Sequence, residues 1–365
     1  MANVYFFTGF PGFIASALIK KIVKEGHKID QIYLLVLPSM LEKAKQEVDK
    51  IVIEYKVNRN IFNFIVGDIT KKNLGISQNV NKPLQQSVTH VFHLAAIYDL
   101  AVPKNLAYNV NVNGTRFVNE WVQEITTLKR YIYFSTAYVS GTREGRILET
   151  ELDMKQSFKN HYESTKFEAE LLVRKIMNKI PTTIIRPGIV KGDSKTGETI
   201  KFDGPYFLLN FFDKLRFLPF IPYLGLGEAE GNFVPVDYII DATVYLAHFK
   251  EAEGKTYHLT DPKPYKMKDI YRMTMEAYLG RKPIGMIPLS FAKAMLSLSF
   301  IRKRLRVEKE ALDYFTYKSV YDSTQTQKDL EGTGISCSDY KDTLKMMISF
   351  YERYKDDETK QLKIR

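Results

Sequence analysis

Short, continuously apolar runs alternate with amphipathic stretches through the first two-thirds of the chain. The runs VYFFTG (4–9), IYLLVL (32–37), FNFIVGD (62–68), HVFHLAA (90–96), RYIYFST (130–136) and TTIIRPG (182–188) lack the strict alternation of a sheet with one wet face. They read as parallel strands buried on both faces. Between them, apolar positions recur at helical spacing over 13–25, about 40–56, 106–127 and 161–179. Strand–helix–strand order with right-handed crossovers predicts a doubly wound parallel sheet of the α/β class.

The pattern changes after Pro187. Residues 191–233 are loop-like and rich in aromatics, YIIDATVYLAHF (238–249) is helical, and KTYHLTD (255–261) reads as a returning strand. Residues 264–354 are mostly helical, and the charged end, KDDETKQLKIR, reads as frayed. The expected division is a sheet domain of 1–190 with 234–262 returning to it, a smaller, mostly helical lobe of 191–233 and 263–355, and a tail of 356–365.

Strand ends carry the chemistry of open α/β sheets. The first strand runs into TGFPGFIA, with Gly9, Gly12 and Ala15 at the three small-residue positions of a dinucleotide fingerprint. Gly9 permits a tight turn, and Gly12 lets backbone N–H groups approach a pyrophosphate at a helix N-terminus. Thr8, Pro11, Phe13 and Ile14 complete this cradle of a Rossmann-type domain. The second strand ends at Leu37, which is neither the carboxylate that binds a ribose 2′-hydroxyl nor the Arg that accepts a 2′-phosphate. The first carboxylate is Glu42, whereas Ser39, Lys43 and Lys45 suit a 2′-phosphate or a solvated helix face, so NADP(H) is favoured over NAD(H). Asp68, with Ile69 beside it, either accepts from the adenine amino group or closes a turn.

Tyr162 and Lys166 share one helix face. A nearby ammonium would lower the phenol pKa and make it a usable proton donor, and the Lys would also hold the nicotinamide ribose. Ser135 and Thr136 lie at the end of the fifth strand, where a hydroxyl can stabilise a developing oxyanion. Asn111, at the start of a helix, either braces the Lys through water or is a structural amide.

Hydrophobic residues make up 45% and charged residues 26%, as in a globular chain. Cys337 is the single cysteine, so no internal disulfide forms and a reducing, cytoplasmic setting is expected. The net charge is +11, but no basic block is interleaved with aromatics, so nucleic acid is not the expected partner. The apolar N-terminus lacks a basic leader and is interrupted by Thr-Gly-Phe-Pro-Gly, and no uninterrupted apolar run suggests a membrane span. His90 and His93 are three apart on a strand and face opposite sides, so no metal site is expected.

Taken in order, TGFPGFIA, GDIT, HLAA, NVNGT, FSTAYVSG, YESTK and RPGIV resemble the extended short-chain dehydrogenases/reductases. STAYV, RPGIVKGDSKTGE, NFVPVDYIIDA and YDSTQTQKDL with GISCSDY are similar to the branch of fatty acyl-CoA reductases of the male-sterility type and thioester-reductase domains. The likeness runs from about residue 3 to 353. It implies a catalytic trio of Thr136, Tyr162 and Lys166, with Asn111 assisting and Ser135 as the alternative hydroxyl. It also implies that Ala95, Ala96, Pro187, Gly188 and Ile189 contact the cofactor, and that the helical lobe binds substrate. The sequence departs from that branch at Leu37, where an Arg is usual.

On the substrate side, GPYFLLNFFDKLRFLPFIPYLGLG (204–227) is either the ordinary core of the lobe or an apolar channel for an acyl chain. PLSFAKAMLSLSFIRKRLR (288–306) is either a buried helix with a basic cap, or a peripheral contact for an anionic membrane or an acyl carrier. A homodimer is the one assembly considered. The leading function is an NAD(P)H-dependent oxidoreductase acting on a carbonyl, including an acyl thioester. A nucleotide-sugar epimerase or dehydratase with tightly held NAD, and a non-catalytic dinucleotide-binding regulator, stand as alternatives.

Overall fold

Seven parallel strands form the central sheet of the protein, seen here in a computed structural model that describes residues 2–98, 102–362 and 364. They are β1 (Asn3–Thr8), β2 (Ile29–Val36), β3 (Phe62–Val66), β4 (His90–His93), β5 (Arg130–Phe134), β6 (Thr182–Pro187) and β7 (Thr256–Leu259). Their spatial order is 3-2-1-4-5-6-7. The chain steps outward from β1 to β3 and then returns to the other side of β1, which opens a crevice between the C-terminal ends of β1 and β4. The expected α/β sheet is therefore present.

Apolar stripes fix the layers. Leu18, Ile19 and Ile22 of α1 (Phe13–Lys24) and Val48 and Ile51 of α2 (Leu41–Tyr55) cover one face, together with a helix of residues 236–248. Val118 and Trp121 of α4 (Gly114–Val122) and Ala169 and Val173 of α5 (His161–Arg174) cover the other. A helix absent from the sequence reading, α3 (Gln78–Ser87), crosses between β3 and β4. It buries only Asn81 and Leu84 and contains Pro83, so it leaves almost no apolar periodicity. Several strands are shorter than their apolar runs: Gly67–Asp68, Leu94–Ala96 and Ser135–Thr136 leave the ladder and line the crevice.

The helix of residues 236–248 is α7 (Val236–His248); the second core unites α6 (Tyr206–Leu215), Phe233, α8 (Met267–Leu279), α9 (Leu289–Leu296), α10 (Ser299–Leu305) and, after α11 (Thr324–Leu330), α12 (Tyr340–Tyr354). α6 lies in a stretch that reads as loop; its apolar residues run nearly all round the helix, with Tyr206, Leu209 and Phe212 fully enclosed. The division of the chain also differs from the expectation at two places. Residues 319–330 return to the sheet domain, where Ser319–Tyr321 pairs with Gly145–Ile147 and Asp329 of α11 accepts from Lys255 Nζ (2.7 Å) and the Tyr257 hydroxyl (2.6 Å). The Glu149 carboxylate caps α11 by accepting from the N–H groups of Gln325 (2.7 Å) and Thr326 (3.1 Å). The tail is tied down rather than frayed: Lys360 O accepts from Phe202 N–H at 2.7 Å, and the buried Gln361 bonds Asn210.

Candidate active site

The cradle is built at the end of β1. Gly9 has φ +87°, and a Cβ there would lie 2.8 Å from Ala95 N. Gly12 sits at the N-cap of α1 with no side chain to cap it; a Cβ would meet Gly9 O at 2.6 Å. The first-turn N–H groups, including those of Phe13 and Ile14, therefore face outward at the positive end of the helix. Pro11, Phe13 and Ile14 are half-buried around this turn. The Thr8 hydroxyl accepts from Leu94 N–H (3.2 Å) and Ala95 N–H (3.1 Å) and bonds His93 Nδ1 (2.8 Å), joining β1 to the Ala95–Ala96 loop. Backbone that only glycine can adopt, above bare helical N–H groups, fits a dinucleotide pyrophosphate.

Leu37 is the N-cap of a short 3-10 turn, Pro38–Met40, which exposes Ser39; Lys43 is exposed on the first turn of α2. Glu42 is occupied by Lys45 at 2.6 Å. Asp68 Oδ1 accepts from both the N–H and the hydroxyl of Thr70, closing a turn with one oxygen. Ile69 is buried beneath Gly114, where a Cβ would meet its Cδ1 at 2.7 Å.

Helix α5 begins with a reciprocal cap. Asn160 Oδ1 accepts from Glu163 N–H at 2.9 Å, and Asn160 Nδ2 donates to the Glu163 carboxylate at 3.1 Å. This fixes Tyr162 on the first turn and Lys166 on the second. Burial pushes the Tyr162 phenol up to about 12, against the opposing pull of a hydrogen bond with Thr136. Lys166 is buried, and its Nζ donates to Phe134 O (2.5 Å) and the Tyr133 hydroxyl (3.1 Å). Burial lowers its pKa to about 7, with Glu170 pulling the other way. The expectation that Lys166 depresses the Tyr162 pKa is thus corrected: desolvation dominates both groups, and the ammonium points to the end of β5.

Thr136 also accepts from Tyr138 N–H at 3.3 Å, while the Ser135 hydroxyl donates to Glu170 Oε2 at 2.6 Å. Ser135 is thereby committed to a carboxylate. Asn111 lies in a π turn, Tyr108–Asn113, and bonds Ile97 N–H (2.8 Å), Ile97 O (3.1 Å) and the Thr165 hydroxyl (3.0 Å). It ties the loop after β4 to α5, one residue from Lys166. Beyond Pro187, at the end of β6, Gly188 N–H donates to Leu259 O at 3.1 Å, and a Cβ on Gly188 would meet Asn232 Oδ1 at 2.5 Å; Ile189 N–H donates to Asn232 O at 2.8 Å. His90 and His93 are buried apart, and the described residues contain no group of three or more His, Cys, Asp or Glu able to hold a metal.

The sequence profile of the NAD-binding male sterility protein family matches residues 7–243, the span that carries all of these strand ends. The chain belongs to this family. A Drosophila melanogaster protein provisionally named a fatty acyl-CoA reductase is 24% identical over 336 residues, covering 77% of this chain and 63% of its own length. A nonribosomal peptide synthetase of Aspergillus campestris is 26% identical over 292 residues, covering 74% of this chain and 27% of its own. This chain therefore spans under two thirds of both relatives. The terminal R domain of the myxalamid PKS-NRPS pathway superposes with a TM-score of 0.80 at 25% identity, over 98% of this chain and 92% of that one.

Within this family framework, sequence reasoning missed the charged groups behind the trio. Arg186 binds Glu170 through two bonds, 2.6 and 3.0 Å, and Arg174 adds a third at 3.0 Å. Burial alone would raise the Glu170 pKa, but the guanidinium groups and Ser135 bring it down to about 2. Burial and the charge of Lys166 lower His93 to about 3, so it is neutral between Thr8 and Thr115. On the lobe side, Tyr314 and Tyr317 pack edge-on against Tyr138, and the Tyr317 hydroxyl donates to Glu163. Burial raises Asp203 to about 6, beside Gly204, whose Cβ would abut Ile189.

Proposed function

We propose that the protein reduces the carbonyl of an apolar acyl thioester, using a reduced nicotinamide dinucleotide and NADPH in preference to NADH. The observation that carries this reading is Lys166 Nζ donating to Phe134 O at 2.5 Å, which brings the start of α5, with Tyr162, to the end of β5, two residues before Thr136, in the sheet whose β1 ends in the Gly9–Gly12 cradle. The names of the relatives, a fatty acyl-CoA reductase, a nonribosomal peptide synthetase and the R domain of a PKS-NRPS pathway, support a thioester over a free ketone.

The dinucleotide, when bound along the cradle and the 187–189 segment, supplies a hydride. Tyr162, protonated at neutral pH, and Thr136 donate to the carbonyl oxygen and stabilise the charge that develops there. Tyr162 passes its proton to that oxygen. Lys166 holds a proton at Nζ against Phe134 O and Tyr133. The hemithioacetal then collapses: its C–S bond breaks, the hydroxyl proton leaves, and the sulfur is protonated, giving an aldehyde and a thiol. Exposed Lys43 and Ser39 would meet a 2′-phosphate, and Leu37 offers no competing carboxylate.

Purified protein with NADPH is tested against acyl-CoA thioesters, ketones and aldehydes, following loss of the reduced nicotinamide absorbance. Turnover with long-chain thioesters that Tyr162→Phe abolishes supports the reading. Turnover confined to ketones overturns the substrate class, and full activity in Tyr162→Phe overturns the proton donor.

A further inference from the structure

The helical lobe exposes a run of large apolar side chains. Phe217 is 74% exposed, Phe300 70% and Phe220 58%, with Leu226, Ile284 and Phe291 also more than half exposed. Their segments are bonded to one another. Tyr223–Leu224 pairs with Met286–Ile287, Ile284 N–H donates to Ile221 O at 3.1 Å, and the Arg281 guanidinium holds the carbonyls of Arg216 (2.9 Å) and Leu218 (2.6 Å). Leu289 at the start of α9 lies against Gly225, and α10, which carries Phe300, packs on α6 and α9. Scattered exposed leucines are ordinary, but several phenylalanines on bonded neighbouring segments form more apolar surface than a soluble monomer usually shows.

The same stretch of chain is rich in basic residues. Between Glu276 and Glu308 the chain carries seven basic residues and no acid. Lys303 and Arg304 are exposed and form no ion pair among the described residues, whereas Lys214 and Arg216, just before Phe217, lie 3.7 and 3.9 Å from the Asp213 carboxylate. Exposed aromatic and aliphatic groups beside Lys and Arg match an interfacial membrane surface. No helix among the described residues is long and apolar enough to cross a membrane, so the contact would be a docked face rather than a span.

We infer that this face docks on an anionic lipid bilayer, with the phenylalanines at the acyl boundary and the basic groups among the headgroups. A second copy fits less well, because a two-fold contact would set the basic rim against itself. An acidic carrier protein would answer the charge but not the phenylalanines. The face is also joined to the active-site wall. Lys293 of α9 pairs with Asp313 at 2.6 Å, the Asp313 carbonyl accepts from Lys159 at 3.4 Å, and Tyr314 and Tyr317 follow on the same turn against Tyr138 and Glu163. The inference deepens the acyl-substrate reading by naming the phase that presents the substrate, and its test needs no turnover.

The full chain is floated with vesicles of phosphatidylcholine alone and of phosphatidylcholine with phosphatidylglycerol, at low and high salt. Wild type should bind the anionic vesicles, weaken with salt, and bind phosphatidylcholine at least about tenfold less. Phe220→Ser with Phe300→Ser, and separately Lys303→Glu with Arg304→Glu, should each lose about tenfold or more in binding. Both should keep the wild-type melting temperature and wild-type turnover of a short, water-soluble thioester. Tyr162→Phe should bind vesicles like wild type, so a failed catalytic reading leaves this one standing. Absence of vesicle binding, or binding unchanged in both surface variants, overturns the inference. So does a wild-type dimer in light scattering that the phenylalanine variant dissociates, or binding to an acyl carrier protein with none to vesicles.

Discussion

Arg186 and Glu170 form a two-bond pair in which neither side chain is more than 1% exposed. The pair joins three strand and helix ends that matter. Arg186 precedes Pro187, Glu170 is one turn beyond Lys166, and Ser135, bonded to Glu170, precedes Thr136. Removing one partner leaves a buried charge uncompensated, which costs about 3–5 kcal/mol. Glu170→Ala should therefore lower stability by about that much in urea unfolding. The pH dependence follows from the depressed carboxyl. The folded value of about 2 lies below the ordinary 4.5, so the stabilisation is complete above pH 4.5 and is lost as pH falls toward 2. Wild type should unfold over that acid interval, and Glu170→Ala should show a flatter curve there.

Lys166 gives the opposite sign. Its folded pKa of about 7 lies below the ordinary 10.5, so the unfolded chain binds the extra proton between those values and stability rises with pH across them. The buried ammonium is a cost at and below neutrality. Lys166→Met should be more stable than wild type at pH 6, by roughly 1–4 kcal/mol, with the gap closing toward pH 10. The same variant should lose activity. In wild type, kcat/KM should fall as pH rises through about 7, where Nζ gives up its proton. A pH profile that stays level across that range would remove Lys166 from the reaction.

Tyr162 and Thr136 should behave as a unit. Tyr162→Phe removes the proton donor and should cost about 10²–10⁴-fold in kcat, with dinucleotide affinity little changed. Thr136→Val removes the hydrogen bond that opposes the upward push of burial on the phenol. The double variant should be no slower than Tyr162→Phe by the full product of the single effects, because the two hydroxyls serve one oxygen. Strict additivity in steady-state kinetics would separate them.

The sheet was legible because its strands are buried on both faces and leave continuous apolar runs, as in YFF of β1 and TTIIRP of β6. Helix α3 was not, since only Asn81 and Leu84 face inward. Tyr162, Lys166 and Thr136 could be proposed as a trio from their places at strand and helix ends. Which of Ser135 and Thr136 faces the crevice could not, because that depends on Glu170, whose charge looks solvated in the alternating run EAELLVRK. Arg174 of that run is its i+4 partner, but only the packing of α5 against β6 adds the buried guanidinium of Arg186. The tail misled for a similar reason: KDDETKQLKIR is mostly polar, yet Lys360 bonds Phe202 through its backbone, which side-chain pattern does not report.

The cofactor end gives the sharpest separation of binding from catalysis. A methyl on Gly12 would meet Gly9 O at 2.6 Å, a backbone atom that cannot swing aside as a side chain would. The cradle would have to open, moving the first-turn N–H groups away from the pyrophosphate. Gly12→Ala should therefore weaken both NADPH and NADH, measured by calorimetry, by about tenfold or more, roughly the loss of one charge-assisted hydrogen bond. Lys43→Ala acts elsewhere. Lys43 is exposed on the first turn of α2; if it holds a 2′-phosphate as proposed, its loss should weaken NADPH by about tenfold and leave NADH unchanged. Leu37→Asp should reverse the preference, placing a carboxylate where the ribose 2′-hydroxyl would lie. If Lys43→Ala binds both dinucleotides as wild type does, the 2′-phosphate is held by other groups, and the preference for NADPH loses its footing at β2.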